Sequence, residues 1–264
     1  MIHVILPAYD EEAAIRPTLL RAARALSGVP WQAVLVDDGS RDRTVAEARR
    51  AAGEAGFRLT VLAHDRNRGL GAALRTGFEW CLECAQDDDV LVTLDADATH
   101  SPEQIPALAA AIGGGHDVAI ASRYRPGARV RGVPAHRRLF SLCARLLLQA
   151  CFPIAGVRDY TCGFRACRAG KLRAARRLFG DRFLDACGFE AVTDLLLKLR
   201  WVRIRAVEIP IELDYRERVG RSKMSIVRTL PAVLGVLARR FGDRAPRYEP
   251  PRVRTRAAPA ETRR

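Results

Sequence analysis

No uninterrupted apolar run in this 264-residue chain reaches the roughly 18 residues that a membrane-crossing helix needs. The nearest candidates, "LFSLCARLLLQACFPIAGV" and "IVRTLPAVLGVLARRF", are broken by Arg145 and Pro153, and by Arg228 and Pro231. The opening "MIHVILPAYDEE" enters a strand at once, so no secretory signal peptide is expected before it. Aromatic residues make up only 6% of the chain, which leaves little to stack nucleic-acid bases. The five histidines are scattered and offer no obvious catalytic dyad. Seven cysteines lack the spacing of a disulfide framework and predict free thiols in a reducing cytoplasm. Cys81 and Cys84 form a C-x-x-C, but it lies inside a helical pattern without a second pair, so buried packing is the better reading. Two nucleotide signatures are missing as well. "PAYDEE" is not the G-x-G-x-x-G of a dinucleotide fold, and "NRGLGAALRTG" lacks the G-x-x-x-x-G-K-S/T spacing of a Walker loop.

Acidic residues are also in short supply. Thirty Asp and Glu face 44 Lys and Arg, a formal net charge of +14, so the chain favours anionic partners: a lipid surface, a phosphorylated small molecule or nucleic acid. Hydrophobic residues, at 48%, suffice for a sizeable core. The first half alternates short apolar β-branched runs with helical patterns. "IHVIL", "QAVLVDD", "FRLTVLA" and "DVLVTLD" read as strands, separated by helices over Glu11 to Leu26, Thr44 to Ala55 and Gly71 to Cys84, with another after Pro102. Near-continuous apolar strands joined by helices predict an α/β fold, a mostly parallel sheet covered on both faces. Its carboxyl edge carries "PAYDEE", "DDGS", "HDRNRGLG" and "DADATH", and ligands of such sheets bind at that edge.

The second half is less regular. "DVAIAS" reads as a strand ending in the loop "RYRPGARVRG", followed by an amphipathic helix from Ala135 to Cys151. "DYTCGFRACR" suggests a strand or hairpin, "WVRIRAVEIPIEL" a single strand, and helices are expected over Lys171 to Phe179, Phe189 to Leu199 and Met224 to Phe241. The Pro/Arg-rich residues 242–264 lack periodicity and are expected to be disordered. The expected division is a catalytic domain over 1–225, a helix over 226–241 and a basic tail.

In "VLVTLDADATHSPE" a buried-looking strand ends on two carboxylates two positions apart. Residues at that spacing on an extended chain point the same way, so Asp95 and Asp97 can face one ligand together. Paired carboxylates resist desolvation unless a cation or donors neutralise them, and hard oxygen ligands suit Mg²⁺ or Mn²⁺ shared with phosphate oxygens. In "LVDDGSRDRT" the alternation lets only one of Asp37 and Asp38 face the cleft, while Asp42 can cap the next helix. "NRGLG" enters a helix through a Gly-rich turn and is a candidate anion site.

Taken in order, "ILPAYDEE", "VLVDDGSRDRT", "NRGLGAALRTG", "LDADATHSPE", "SRY", "DYTCGFR" and "GRSKM" resemble the family 2 inverting glycosyltransferases, and within them the dolichyl- or polyprenyl-phosphate mannose synthases. The resemblance runs from Ile2 to Met224. It implies the glycosyltransferase-A fold, a Rossmann-like sheet with helices on both faces. It places Pro7, Tyr9 and Glu11 in the nucleotide pocket, and Val36 and Asp38 near base and ribose. Asp95 and Asp97 become ligands of Mg²⁺ or Mn²⁺, Ala96 adds backbone contacts, and Thr99 is a further ligand candidate. Arg123, Arg137 and Lys223 match positions that meet the phosphates of donor or acceptor. One further family arginine is matched by Arg218, with Arg216 as the alternative.

The implied reaction carries a hexose, mannose from GDP-mannose, from its nucleotide diphosphate to a polyprenyl phosphate. UDP-glucose or UDP-GlcNAc as donor, or a non-lipid acceptor, are the alternatives. A phosphate acceptor is already anionic and needs no strong base; a hydroxyl acceptor would need one, with Asp159 or Glu190 as first candidates. Catalysis then falls to Asp97, Arg123 and Lys223, and the acceptor phosphate to Arg137, Arg218 and Lys223. Leu139, Leu142, Cys143 and Leu146, with Arg137, Arg138 and Arg145 for the polar side, suit a helix lying on a lipid surface. The later helix offers Ile226, Leu230, Val233 and Leu237 in the same way. The expected location is therefore cytoplasmic, peripheral to the cytoplasmic face of a membrane. Acidic loops along the sheet edge argue against a nucleic-acid partner.

Overall fold

The computed structural model describes residues 1–216 and 234–240. Arg218, Lys223, the tail and most of the helix expected over Met224 to Phe241 lie outside the described residues. The chain opens with β1 (Ile2–Ala8), α1 (Glu12–Ala25), β2 (Trp31–Asp37), α2 (Thr44–Ala55), β3 (Arg58–Ala63), α3 (Leu70–Cys84) and β4 (Val90–Thr93). Strands β1, β2, β3 and β4 pair in parallel. Val4, Ile5 and Leu6 of β1 are wholly buried, each contributing about 1.5–3 kcal/mol through that burial. In α1 the buried residues Ala14, Ile15, Thr18, Leu19 and Ala22 recur at helical spacing and form its inward stripe.

The order then departs from simple winding. After α4 (Ile105–Gly113) come β5 (Val118–Ser122), β6 (Arg129–Arg131), α5 (Ala135–Cys151), β7 (Arg165–Arg168), α6 (Ala169–Phe179), α7 (Glu190–Leu199), β8 (Ala206–Pro210) and β9 (Glu212–Asp214). Seven strands make one sheet in the order β3-β2-β1-β4-β7-β5-β8, with β7 antiparallel to both neighbours. The sheet grows from β1 through β2 to β3 and then restarts at β4 on the other side of β1. A crevice opens at the carboxyl ends of strands where the order reverses in this way. Pro7 and the acidic loop after β4 stand at that point.

Two sequence expectations are corrected here. "RYRPGARVRG" is not all loop, because Arg129–Arg131 pairs with Glu212–Asp214 as a second, two-stranded sheet. "WVRIRAVEIPIEL" is not one strand. It starts with a 3-10 turn over Arg200–Val202, is released by left-handed Arg203, and gives β8 and β9. At Ile211 the chain leaves one sheet for the other: its N–H donates to Ser122 and its carbonyl accepts from Arg129. A pattern of period two cannot reveal that switch.

Residues 234–240 are helical. Val236 and Leu237 are buried, and the Arg240 Nε donates to Asp194 of α7 at 2.7 Å. Leu237 therefore faces the core and not a lipid surface, contrary to the sequence expectation. No helix of the described residues is long and apolar enough to cross a membrane.

Candidate active site

The β4 strand ends where the Thr93 hydroxyl donates to the Gly163 carbonyl and the Leu94 N–H donates to Ile5. Beyond it the alternation persists. Leu94 and Ala96 are buried, while Asp95 and Asp97 are half-buried on the open side. Ala98 then adopts a left-handed φ of 62°, a conformation costing a residue with a Cβ about 1–2 kcal/mol. That turn folds Thr99 back, so its N–H and hydroxyl both donate to Asp97 Oδ1, at 3.1 and 2.6 Å. Buried Thr99 thus orients the carboxylate from behind. The His100 ring stacks on Phe164 and brings Nδ1 to 3.7 Å from Asp95 Oδ2.

These residues form one wall of a cavity of about 550 Å³, within the range of small-molecule sites. Pro7, Asp95, Asp97, Thr99, Arg123 and Arg137 all line it, so the fold gathers those six sequence candidates. The donor set fits a hard divalent cation: two carboxylates share one side of the cleft. Among the described residues no cluster of three or more His, Cys, Asp or Glu side chains could complete the shell. Ligand oxygens and water would have to do so, as is usual for Mg²⁺ at phosphates.

The basic part of the lining is tightly braced. Arg123 Nε and Nη2 donate to the two oxygens of Asp159 at 2.8 and 2.6 Å, and Nη2 also donates to the Thr161 hydroxyl at 2.6 Å. A guanidinium has five N–H donors, so those on Nη1 remain for a ligand. Burial pushes the Asp159 carboxyl up, but the Arg123 charge and hydrogen bonds override it and hold the group below the usual range. Asp159 is wholly enclosed, spends both oxygens on Arg123 and also accepts from the Thr161 and Cys162 amides. It is not a general base. Glu190 lies at the start of α7 and accepts from the Gly188 amide.

Several lining residues were missed. Tyr124 donates to or accepts from Ser141 at 2.6 Å and lies under the Arg145 guanidinium, 4.6 Å from its ring centroid. Arg137 packs over Tyr215 at 5.9 Å. Phe140 and Phe189 add apolar wall. "SRY" carried Tyr124 in plain view, but its partner Ser141 is 17 positions away, beyond any local signal.

Among the described residues the cavity wall does not include Tyr9, Glu11, Val36, Asp38 or Ala96. They lie along the same edge. The side chains of Val36 and Ala96 are buried, and Val36 is paired within the sheet between β1 and β3. Asp37 and Asp38 are both buried. Asp37 accepts from the Ser40 amide. Asp38 Oδ1 accepts from the Arg68 amide and His64 Nδ1, and Oδ2 from the Gly69 amide. The Gly71 amide donates to Cys187. Three amides of the Gly-rich turn are thus committed inside the protein, so it is not the anion site its glycines suggested. Those glycines serve close packing: a Cβ on Gly71 would sit 1.9 Å from the Ala186 carbonyl oxygen. Arg43 is the N-cap position of α2, and Asp42 just before it accepts from the amide of Thr44, the first helical residue, at 2.9 Å.

A sequence model of glycosyl transferase family 2 matches residues 3–174. The chain belongs to glycosyl transferase family 2. Its relatives in that family include the dolichol-phosphate mannosyltransferase of Pyrococcus furiosus, 32% identical over 84% of this chain and 59% of the relative. The polyprenol monophosphomannose synthase of Mycolicibacterium smegmatis is 35% identical, covering 84% of this chain and 80% of its own. The undecaprenyl-phosphate mannosyltransferase of Micrococcus luteus is 36% identical over 84% and 86%. The chain spans under two thirds of the first relative and most of the other two. In three dimensions, glucosyl-3-phosphoglycerate synthase of Mycobacterium tuberculosis, solved with Mn²⁺, UDP-glucose and phosphoglyceric acid, aligns at a TM-score of 0.63. It is 23% identical, covering 92% of this chain and 80% of that one. The shared architecture is the glycosyltransferase-A fold that the sequence resemblance implied.

Proposed function

We propose that this family 2 glycosyltransferase moves a hexose, mannose from GDP-mannose, onto the phosphate of a polyprenyl lipid at a membrane surface. The observation that carries this is one cavity lined by two chemistries, acidic and basic. Asp95 and Asp97 line it, and so do Arg123 and Arg137. The mannosyl transfer to lipid phosphates named in the relatives supports the choice of sugar and acceptor.

Transfer from a nucleotide diphosphate builds negative charge on the leaving group. Mg²⁺ or Mn²⁺ held by Asp95 and Asp97 would supply the compensating charge. The chain's own residues have the complementary task. The acceptor phosphate must approach another anion, and guanidinium groups offset the repulsion. Arg123 is pre-aimed by Asp159, so no reorganisation is needed when the phosphate arrives. With the acceptor already ionised, no base is required, which agrees with Asp159 being fully spent on Arg123.

The exposed side of α5 supports a location at a membrane surface. Leu139 and Leu146 are 63% and 56% exposed, and Leu142, Cys143 and Leu147 are exposed beside them. The opposite side of the helix supplies Arg137 and Ser141 to the cavity. An apolar face turned outward on a helix whose other side lines the cavity suits a helix resting in the headgroup region. On this reading the chain works as a peripheral protein on the cytoplasmic face, and its net charge of +14 supports attraction to anionic lipids.

The test is turnover with a panel of labelled nucleotide sugars against polyprenyl phosphate and against small phosphorylated acceptors. GDP-mannose with the lipid phosphate is expected to give the highest rate. Preference for UDP-glucose, or for a water-soluble acceptor, would overturn the assignment.

A further inference from the structure

Behind the arginine wall lies a buried carboxylate with no part in the chemistry above. Glu208, on β8, is 5% exposed. Its Oε1 accepts from two successive backbone amides, Arg158 at 2.6 Å and Asp159 at 2.5 Å. Its Oε2 has no hydrogen-bond partner, although Arg125 Nε lies 3.7 Å away. Carboxylate–amide bonds of this kind are short and strong, so the turn at 158–159 is pinned to the sheet. From that turn hangs Asp159, and on Asp159 hangs the Arg123 guanidinium. The Arg123 backbone N–H also donates to Asp159 Oδ2, at 3.0 Å.

We infer that Glu208 is a positioning residue for Arg123, acting through the Asp159 turn. This rests on the reading that Arg123 faces an anion in the cavity. The sheet carries the anchor, the anchor fixes the turn, and the turn aims the guanidinium. Without Glu208 the two amides lose their acceptor, and the turn is free to shift. Arg123 then keeps its ion pair with Asp159 but loses its aim. A misplacement of about 1 Å in such a group costs up to about 10² in rate.

The test is a double-mutant cycle on transfer, read as kcat and KM for both substrates. Glu208→Ala is expected to lower kcat by about 10–10² while leaving the nucleotide-sugar KM within about threefold. Glu208→Gln keeps an oxygen for the two amides and is expected to recover most of that loss. In an Arg123→Gln background Glu208→Ala should cost no more than about threefold, because both act through one group. A full additive loss in that background would overturn the inference, as would Glu208→Gln being as impaired as Glu208→Ala. If Glu208→Ala does not fold, Glu208→Asp, which withdraws the carboxylate by one methylene, carries the same cycle. A wild type with no transfer at all would instead remove the proposed function.

Discussion

Asp159 is enclosed by protein and carries the Arg123 guanidinium on both oxygens, so its charge is a condition of the folded state. Breaking a buried pair from one side costs about 3–5 kcal/mol, less where the partner is partly open to water. The Arg123 side chain is 23% exposed, so Asp159→Asn is expected to cost about 3 kcal/mol in urea unfolding. The pH dependence has a defined sign. The folded carboxyl titrates below its unfolded value. Its stabilisation is therefore complete above the ordinary Asp range and is lost as pH falls through the depressed value. Between neutral pH and about pH 3 the wild type should lose stability more steeply than Asp159→Asn. Equal slopes would contradict the depressed value. At this scale the sequence was partly legible. The alternation of Asp95 and Asp97 could be read directly, because strand geometry is periodic. The duties of Asp38 could not, since its partners His64, Arg68 and Gly69 lie 26 to 31 positions away.

Among the elements, α5 shows the same division. Its limits, Ala135 and Cys151, coincide with those read from the helical pattern. Periodicity also identified its apolar stripe, but a stripe does not say whether it faces core or solvent. Here Ala144 and Leu148 turn inward, the leucines at 139, 146 and 147 turn out, and exposed Leu142 also borders the cavity. In residues 234–240 Val236 and Leu237 lie inside, while Leu234 is exposed. That contrast yields a prediction for vesicle sedimentation with anionic lipid. Binding should persist above about 0.3 M salt, where surface charges are screened beyond a few ångströms. Leu142→Asp or Leu146→Asp should abolish the salt-resistant part while leaving thermal unfolding within a few degrees of wild type. Binding that disappears completely with salt in the wild type would assign the attachment to charge alone.

For the whole molecule, the parallel half was legible because its strands are buried on both faces and its helices carry clean stripes. The antiparallel insertion of β7 and the small β6–β9 sheet depend on pairings across dozens of residues, which local pattern does not encode. The consequence for function is that the fold brings Asp95 and Asp97, beyond β4, into one cavity with Arg123 after β5 and Arg137 on α5. The account stands on those carboxylates holding the donor diphosphate through a divalent cation. The most direct measurement is the initial rate of label transfer from GDP-mannose to polyprenyl phosphate by Asp97→Ala, and by wild type treated with EDTA. Both should lose a factor of about 10² or more. Retention of more than about a tenth of the wild-type rate in either case would contradict the account, because a leaving-group charge left uncompensated cannot be so mild a loss.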